Sequence, residues 1–330
     1  MRKLKNNNKL VIVGVGHVGS YVLADAMKLG LFSEISVIDI NKEVAFGEAL
    51  DQAHATALTY MTNTTVKAGD YSECADADVI ICAAGPSVLK SSEDEMPDRA
   101  LLAVKNAAVI REVMTGITAY TKEAIIIMIT NPLDTMVYIA ENEFNYPKGR
   151  VFGTGTMLDS ARLRYVIANN YNIDPKSVTG YMMGEHGHTA FPVFSRLNIQ
   201  GFGEKELDQV FKGKEPLHRE EIGKQVVKSA FDVLNGKGWT NAGIAQAAVT
   251  LAKAIMLDEH SVYPISTTLR GQYGYDGDVA FSMPCIVGRN GVEKQLEISL
   301  DEQETEWLHK SAKYIQETMK VAQTGKEFIK

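Results

Sequence analysis

Apolar positions along the chain fall into two kinds of run. Leu10 to Val13, Ile35 to Ile40, Val79 to Ala84 and Ile125 to Ile129 are short blocks rich in valine and isoleucine. Such blocks suit strands buried on both faces of a parallel sheet. Between them the spacing becomes helical. Positions 109, 110, 113, 114 and 117 lie on one helix face, and a helical pattern that runs to Leu29 is stopped by Gly30. Strand and helix alternating over residues 1 to about 150 predict an α/β doubly wound parallel sheet.

The second half, 151–330, reads as a separate α+β unit. Leu158 to Ala168 is helical, as are Arg219 to Leu234 and Trp239 to Leu257, while Val178 to Phe194 and Ser261 to Val287 carry β-like runs. Asn290-Gly291 offers a hairpin turn whose two central positions take positive φ. The last helix starts near Asp301, with Asp301, Glu302, Glu304 and Glu306 early and Lys310, Lys313 and Lys320 late, an order that complements the helix dipole.

Composition narrows the function classes. Of 330 residues, 45% are hydrophobic and 23% charged, so the chain can bury a large core. The net charge is −7 with basic residues scattered, which argues against a nucleic-acid or anionic-membrane partner. Met1 to Lys9 is a polar arm without the apolar core of a signal peptide, and runs such as Ala124 to Thr130 are too short to span a bilayer. Cys74, Cys82 and Cys285 have no paired spacing, so we expect a reduced cytoplasmic protein with neither disulfides nor a metal.

The first strand block breaks into Gly14-Val15-Gly16-His17-Val18-Gly19. Gly14 permits the tight turn, Gly16 lets backbone approach a pyrophosphate, and Gly19 lets the next helix pack on the sheet. Val18 sits at the helix start, whose free N–H groups face the phosphates. Glycine triplets also occur in plain turns, but here Asp39 follows twenty residues after Gly19 at a strand end. A carboxylate there accepts ribose hydroxyls and repels a 2′-phosphate, so the cofactor expected on this Rossmann fingerprint is NAD, not NADP.

Three further pieces carry chemistry. His186 lies within Gly184-Glu185-His186-Gly187. Asp159 and Arg162 lie three apart in the Leu158 to Arg162 run. Asn131 opens Asn131-Pro132-Leu133-Asp134 at a strand's carboxyl end, where ligands bind in open α/β sheets. Singly they read as a surface histidine, an ion pair and a turn. In this order behind this fingerprint they resemble the lactate/malate dehydrogenase family over nearly the whole chain, including Pro284 to Gly291. Asn235 to Thr240 and Gly153 to Thr156 look most like its L-2-hydroxyisocaproate dehydrogenase branch.

That resemblance implies roles. His186 would be the general acid and base, oriented by Asp159. Arg162 would grip the substrate carboxylate in a bidentate fork. Arg99 would polarise the substrate carbonyl, Asn131 would bond near carbonyl and nicotinamide, and Thr240 would line the substrate pocket. The substrate loop, about 86–98, is longer than in ordinary lactate dehydrogenases. Leu89 falls at the family's discriminating position, where leucine cannot pair with a second carboxylate. The expectation is an NAD-dependent L-2-hydroxy-acid dehydrogenase favouring bulky apolar 2-oxo acids such as 2-oxoisocaproate; the alternative is an L-lactate dehydrogenase acting on pyruvate. The resemblance also implies a homotetramer or a dimer. Arg164 matches half of the family's fructose 1,6-bisphosphate site, but Thr179 replaces the histidine of the other half, so activation by that effector is not expected. His188 is given no catalytic role. NAD-dependent glycosidases share this fold but hold a metal with cysteine and histidine, and no such pair stands out here.

Overall fold

A computed structural model describes residues 8–58, 60–87 and 99–324. In chain order the elements of the first half are β1 (Lys9–Val13), α1 (Gly19–Leu29), β2 (Glu34–Ile38), α2 (Lys42–Ala55), β3 (Thr65–Ala68), β4 (Val79–Cys82), α3 (Arg99–Thr118), β5 (Ile125–Met128), α4 (Leu133–Asn142) and β6 (Val151–Gly153). All six strands are parallel, in the order β3-β2-β1-β4-β5-β6. That is a Rossmann sheet, and the order reverses between β1 and β4, where such sheets bind ligands. Every residue of β4 and β5 is fully buried, which is why their valines and isoleucines run without alternation.

Next come α5 (Met157–Tyr171), five two-residue strands, namely β7 (Val178–Thr179), β8 (Met182–Met183), β9 (Phe191–Pro192), β10 (Asn198–Ile199) and β11 (Phe202–Gly203), and helices α6 (Glu204–Phe211), α7 (Arg219–Lys237) and α8 (Ala242–Leu257). The chain closes with β12 (Ser261–Arg270), β13 (Asp276–Gly288), β14 (Gly291–Gln295) and α9 (Glu302–Thr324). β12 to β14 are antiparallel and extend the first sheet to nine strands, joined where Ser266 pairs with Gly153.

Several expectations are adjusted. The β-like run 178–194 is broken into two-residue strands, because Gly180, Gly184 and the 185–190 loop interrupt pairing. Trp239 and Thr240 precede α8 instead of opening it. α7 runs on to Lys237 and stops at Gly238 in the left-handed region, and Asn241 caps α8 through its side chain. The β13–β14 hairpin forms where expected, but its two turn residues are Arg289 and Asn290, and only Gly291 has a positive φ, of 89°. The register shifts beside it, as in a turn closed by a glycine bulge. Glycine is needed there because a Cβ on Gly291 would lie 2.2 Å from the Gly149 carbonyl oxygen.

α4 is buried on nearly all sides. Its two carboxylates, Asp134 and Glu141, are two turns apart and both face β12. Asp134 accepts the Ser266 hydroxyl at 2.6 Å, and Glu141 accepts the Thr267 hydroxyl at 2.9 Å and the Thr268 N–H at 2.6 Å. A helix that buries its acids in this way satisfies them locally with hydroxyl and amide donors.

Candidate active site

Between the carboxyl ends of β1, β4 and β5 and helices α5, α7 and α8 lies a cavity of about 420 Å³. Its walls include Gly16, Val18, Asn131, Asp159, Arg162, His186 and Thr240. These residues are distant in sequence and are brought together by the fold. Gly14, Gly19 and Asp39 stand outside the cavity, at the turn and at the end of β2. Arg99 is the first residue of α3. Leu89, with the rest of 88–98, lies outside the described residues.

The glycine turn is shaped by contact. Gly14 has φ +88°, and a Cβ there would come within 2.6 Å of the Ala84 backbone. A Cβ on Gly19 would lie 1.9 Å from the Gly14 carbonyl oxygen, so α1 sits directly on the turn. Gly16 is different: its φ is ordinary and nothing lies within 4 Å of an added Cβ. The fold therefore does not need glycine at that position, whereas a pyrophosphate drawn up to the backbone there would. Gly16→Ala should keep the parent melting temperature yet weaken NADH binding by ~10-fold or more, about 1.4 kcal/mol. Fluorescence titration with NADH checks this, and unchanged affinity would count against pyrophosphate contact at Gly16. Asp39 accepts the Val15 N–H through Oδ2 and the Asn41 N–H through Oδ1, both at 2.9 Å, which fixes its carboxylate beside the turn.

Asp159 organises the polar end. It stands in the first turn of α5, with Arg162 one turn on. Its Oδ1 accepts Arg162 Nη1 at 2.9 Å, and its Oδ2 lies 2.6 Å from His186 Nδ1. Burial opposes the charge on Asp159, but His186 and Arg162 outweigh it and hold the carboxyl below the usual range. Burial also opposes charging His186, and the Asp159 charge and hydrogen bond outweigh it, so the imidazole titrates above its ordinary value. With Nδ1 engaged, Nε2 is the nitrogen left to exchange a proton.

The histidine loop is braced from three sides. Gly184 has φ +96° and exchanges backbone hydrogen bonds with Ser282 of β13. The Glu185 N–H donates to Ser311 Oγ of α9 at 2.7 Å, and the His186 N–H donates to Asp134 Oδ2 of α4 at 2.8 Å. The Asn131–Pro132 bond is cis, and Asn106 of α3 donates its amide to the carbonyls of Asn131, at 2.5 Å, and Pro86, at 3.1 Å.

Sequence reasoning passed over Asn106, Asp134 and the apolar wall of Val227, Ala230, Phe231 and Leu234 on α7. The wall was legible in principle, since its spacing is that of one helix face. Nothing linear points to His17 and Trp239, whose rings stack at 3.8 Å with 4° between planes and close the cavity at the glycine turn. His188 lines the same cavity and stacks on Phe231.

A Rossmann turn opening onto a cavity that holds a histidine, its carboxylate and an arginine defines a dinucleotide-dependent dehydrogenase. Two family descriptions cover the chain: lactate/malate dehydrogenase, NAD binding domain, over 8–153, and lactate/malate dehydrogenase, alpha/beta C-terminal domain, over 156–326. The chain is 46% identical over 319 residues to L-lactate dehydrogenase 2 of Clostridium acetobutylicum, covering 97% of this chain and 98% of that one. It is 42% identical to the L-lactate dehydrogenase of Selenomonas ruminantium, covering 96% and 98%. Among solved structures it resembles the ligand-bound minor L-lactate dehydrogenase of Enterococcus mundtii, with TM-score 0.87, 32% identity and coverage of 95% and 98%. The chain belongs to the lactate/malate dehydrogenase family. It is an NAD-dependent oxidoreductase acting on the CH–OH group of a 2-hydroxy acid.

Proposed function

We propose that the protein interconverts pyruvate and L-lactate. The observation that carries the 2-oxo-acid chemistry is Asp159 bridging His186 and Arg162 on one cavity wall, a proton donor and a carboxylate grip held by one buried anion. When bound, NADH supplies the hydride. Gly16 and Val18 would meet its pyrophosphate on a turn that Gly14 and Gly19 shape, Asp39 would hold its ribose, and Asn131 would meet its nicotinamide end. Arg162 directs its remaining N–H donors to the substrate carboxylate. His186 Nε2 gives its proton to the carbonyl oxygen as hydride adds to carbon, and the imidazolium becomes neutral beside Asp159. Arg99 polarises that carbonyl, and Thr240 lines the pocket. In lactate oxidation the neutral imidazole takes the hydroxyl proton back.

Pyruvate as substrate rests on the relatives, which are named L-lactate dehydrogenases at up to 46% identity. This favours the alternative of the sequence reading over a preference for bulky acids. A second reading keeps that preference, because the wall of Val227, Ala230, Phe231 and Leu234 offers apolar surface to a larger side chain. Comparing kcat/KM for pyruvate, 2-oxoisocaproate, phenylpyruvate and oxaloacetate separates the two. The highest value should fall on pyruvate; a maximum on 2-oxoisocaproate returns the bulky-acid reading. The same assay should strongly favour NADH over NADPH, since a 2′-phosphate would face the Asp39 carboxylate, and equal use of both would remove Asp39 from the site.

We infer a homo-oligomer, a tetramer or a dimer, because Phe46 and Leu50 on α2 and the neighbouring Leu58 and Tyr60 are exposed apolar side chains. With Thr179 on β7 standing where the family's effector site has histidine, and only Arg164 on α5 matching the other half, we assign no activation by fructose 1,6-bisphosphate. Three unpaired, buried cysteines support a cytoplasmic setting, and among the described residues no helix is long and apolar enough to cross a membrane.

A further inference from the structure

Asp134 is a buried carboxylate to which the scheme above gives no task. It stands in the first turn of α4 and is only 2% exposed. Its Oδ2 accepts the His186 backbone N–H at 2.8 Å. Its Oδ1 accepts the Ser266 hydroxyl at 2.6 Å, with the Ser282 hydroxyl at 3.4 Å. Among the described residues no lysine or arginine forms an ion pair with it, and the cation that acts favourably on it is a protonated His186. The other groups that face this pair are Asp159 and Arg162 of α5, Glu185 of the same loop, and Tyr314 of α9, which borders a small gap beside Asp134 and His186.

We propose that Asp134 is a positioning residue for the proton transfer: it anchors the histidine loop to α4 and favours the protonated form of the His186 ring. Asp159 acts on the ring nitrogen, and Asp134 acts from behind, through the backbone. The two carboxylates therefore serve one imidazolium, one by direct hydrogen bond and one by anchoring and charge. The proposal rests on His186 as the proton donor. Burial raises the Asp134 carboxyl, the Ser266 hydroxyl and the His186 N–H pull it back, and the balance stands at about 6, so the ionised form is the larger share at neutral pH. Its charge in turn raises the His186 pKa, alongside the larger effect of Asp159. Pyruvate reduction needs the protonated ring, so its kcat/KM falls as pH rises through the His186 pKa. Lactate oxidation needs the neutral ring and rises through the same value.

The test is Asp134→Asn, which can still accept the His186 N–H and donate to Ser266. Removing the charge should lower the midpoint for pyruvate reduction by about 0.5–1 pH unit, an anion on the backbone side acting more weakly than a direct partner. Above the midpoint, kcat/KM for pyruvate should then fall by ~3–10-fold. The lactate-oxidation midpoint should move down equally, which a purely structural defect would not produce. A readout without cofactor or turnover is the NMR titration of the His186 ring. Its signal among the seven histidines is identified by its loss in His186→Asn. Glu141→Gln removes the other buried acid of α4 and should lower the melting temperature without moving any midpoint. If Asp134→Asn does not fold, the Ser266→Ala/Ser282→Ala double variant takes away the hydroxyls that favour the Asp134 charge and should give a smaller shift in the same direction. An unmoved midpoint in Asp134→Asn, or in the serine pair where it must stand in, overturns the proposal, as does an equal shift in Glu141→Gln. Near-parental turnover in His186→Asn would instead remove the reading on which the proposal rests, while the ring titration still reports the effect of Asp134.

Discussion

His186→Asn should lower turnover by ~10²–10⁴-fold, the usual contribution of a general acid–base group, while NADH affinity stays near the parent value. The cause is local. His186 Nδ1 lies 2.6 Å from Asp159, so the ring is held in one orientation with Nε2 available to substrate. Asparagine fills part of the space but cannot carry the proton. On the proposed reading NADH is held by the Gly14 to Gly19 turn and by Asp39, not by His186. Stopped-flow reduction of pyruvate together with NADH fluorescence titration checks both parts. Parental turnover would move the chemistry elsewhere, and His188, on the same cavity, would be the first place to look.

Arg162→Leu should lower kcat/KM for pyruvate by roughly 30- to 5,000-fold, because truncating one partner of a buried charged pair typically costs ~2–5 kcal/mol. Two losses combine in this variant. The substrate carboxylate loses its forked partner, and Asp159 is left with His186 alone on a largely buried carboxylate. Arg162→Lys should recover little, since a point charge cannot replace the planar fork. Steady-state kinetics with varied pyruvate at saturating NADH measures the effect. A kcat/KM within a few-fold of the parent enzyme would mean that Arg162 serves as an ion-pair partner to Asp159 and does not hold substrate.

How much could be read in advance depended on how local each signal was. The buried strands were legible because whole blocks such as Ile125 to Ile129 carry no polar residue, which only a sheet covered on both faces accommodates. The glycine turn was legible because its requirements fall on six consecutive residues, and Asp159 and Arg162 because three positions make one helical turn. β3 and β6 were missed: β3 is short and half-exposed, and β6 has three residues. Asn290-Gly291 correctly marked a hairpin but gave the wrong turn, because the decisive contact is with Gly149, far away in the chain.

By itself, the sequence determined the Rossmann half and the NAD cofactor and nominated the reacting groups, since each rests on residues within a few positions of one another or on motifs in a recognisable order. Only the tertiary structure decided that one carboxylate holds both His186 and Arg162, that Asp134 reaches the His186 backbone from another helix, and that His17 meets Trp239 across the cavity. These contacts join segments 27, 52 and 222 positions apart, counted from His186 to Asp159, His186 to Asp134 and Trp239 to His17. Pairing over such separations leaves no periodic trace in the sequence, because it depends on where packed helices and strands place their ends.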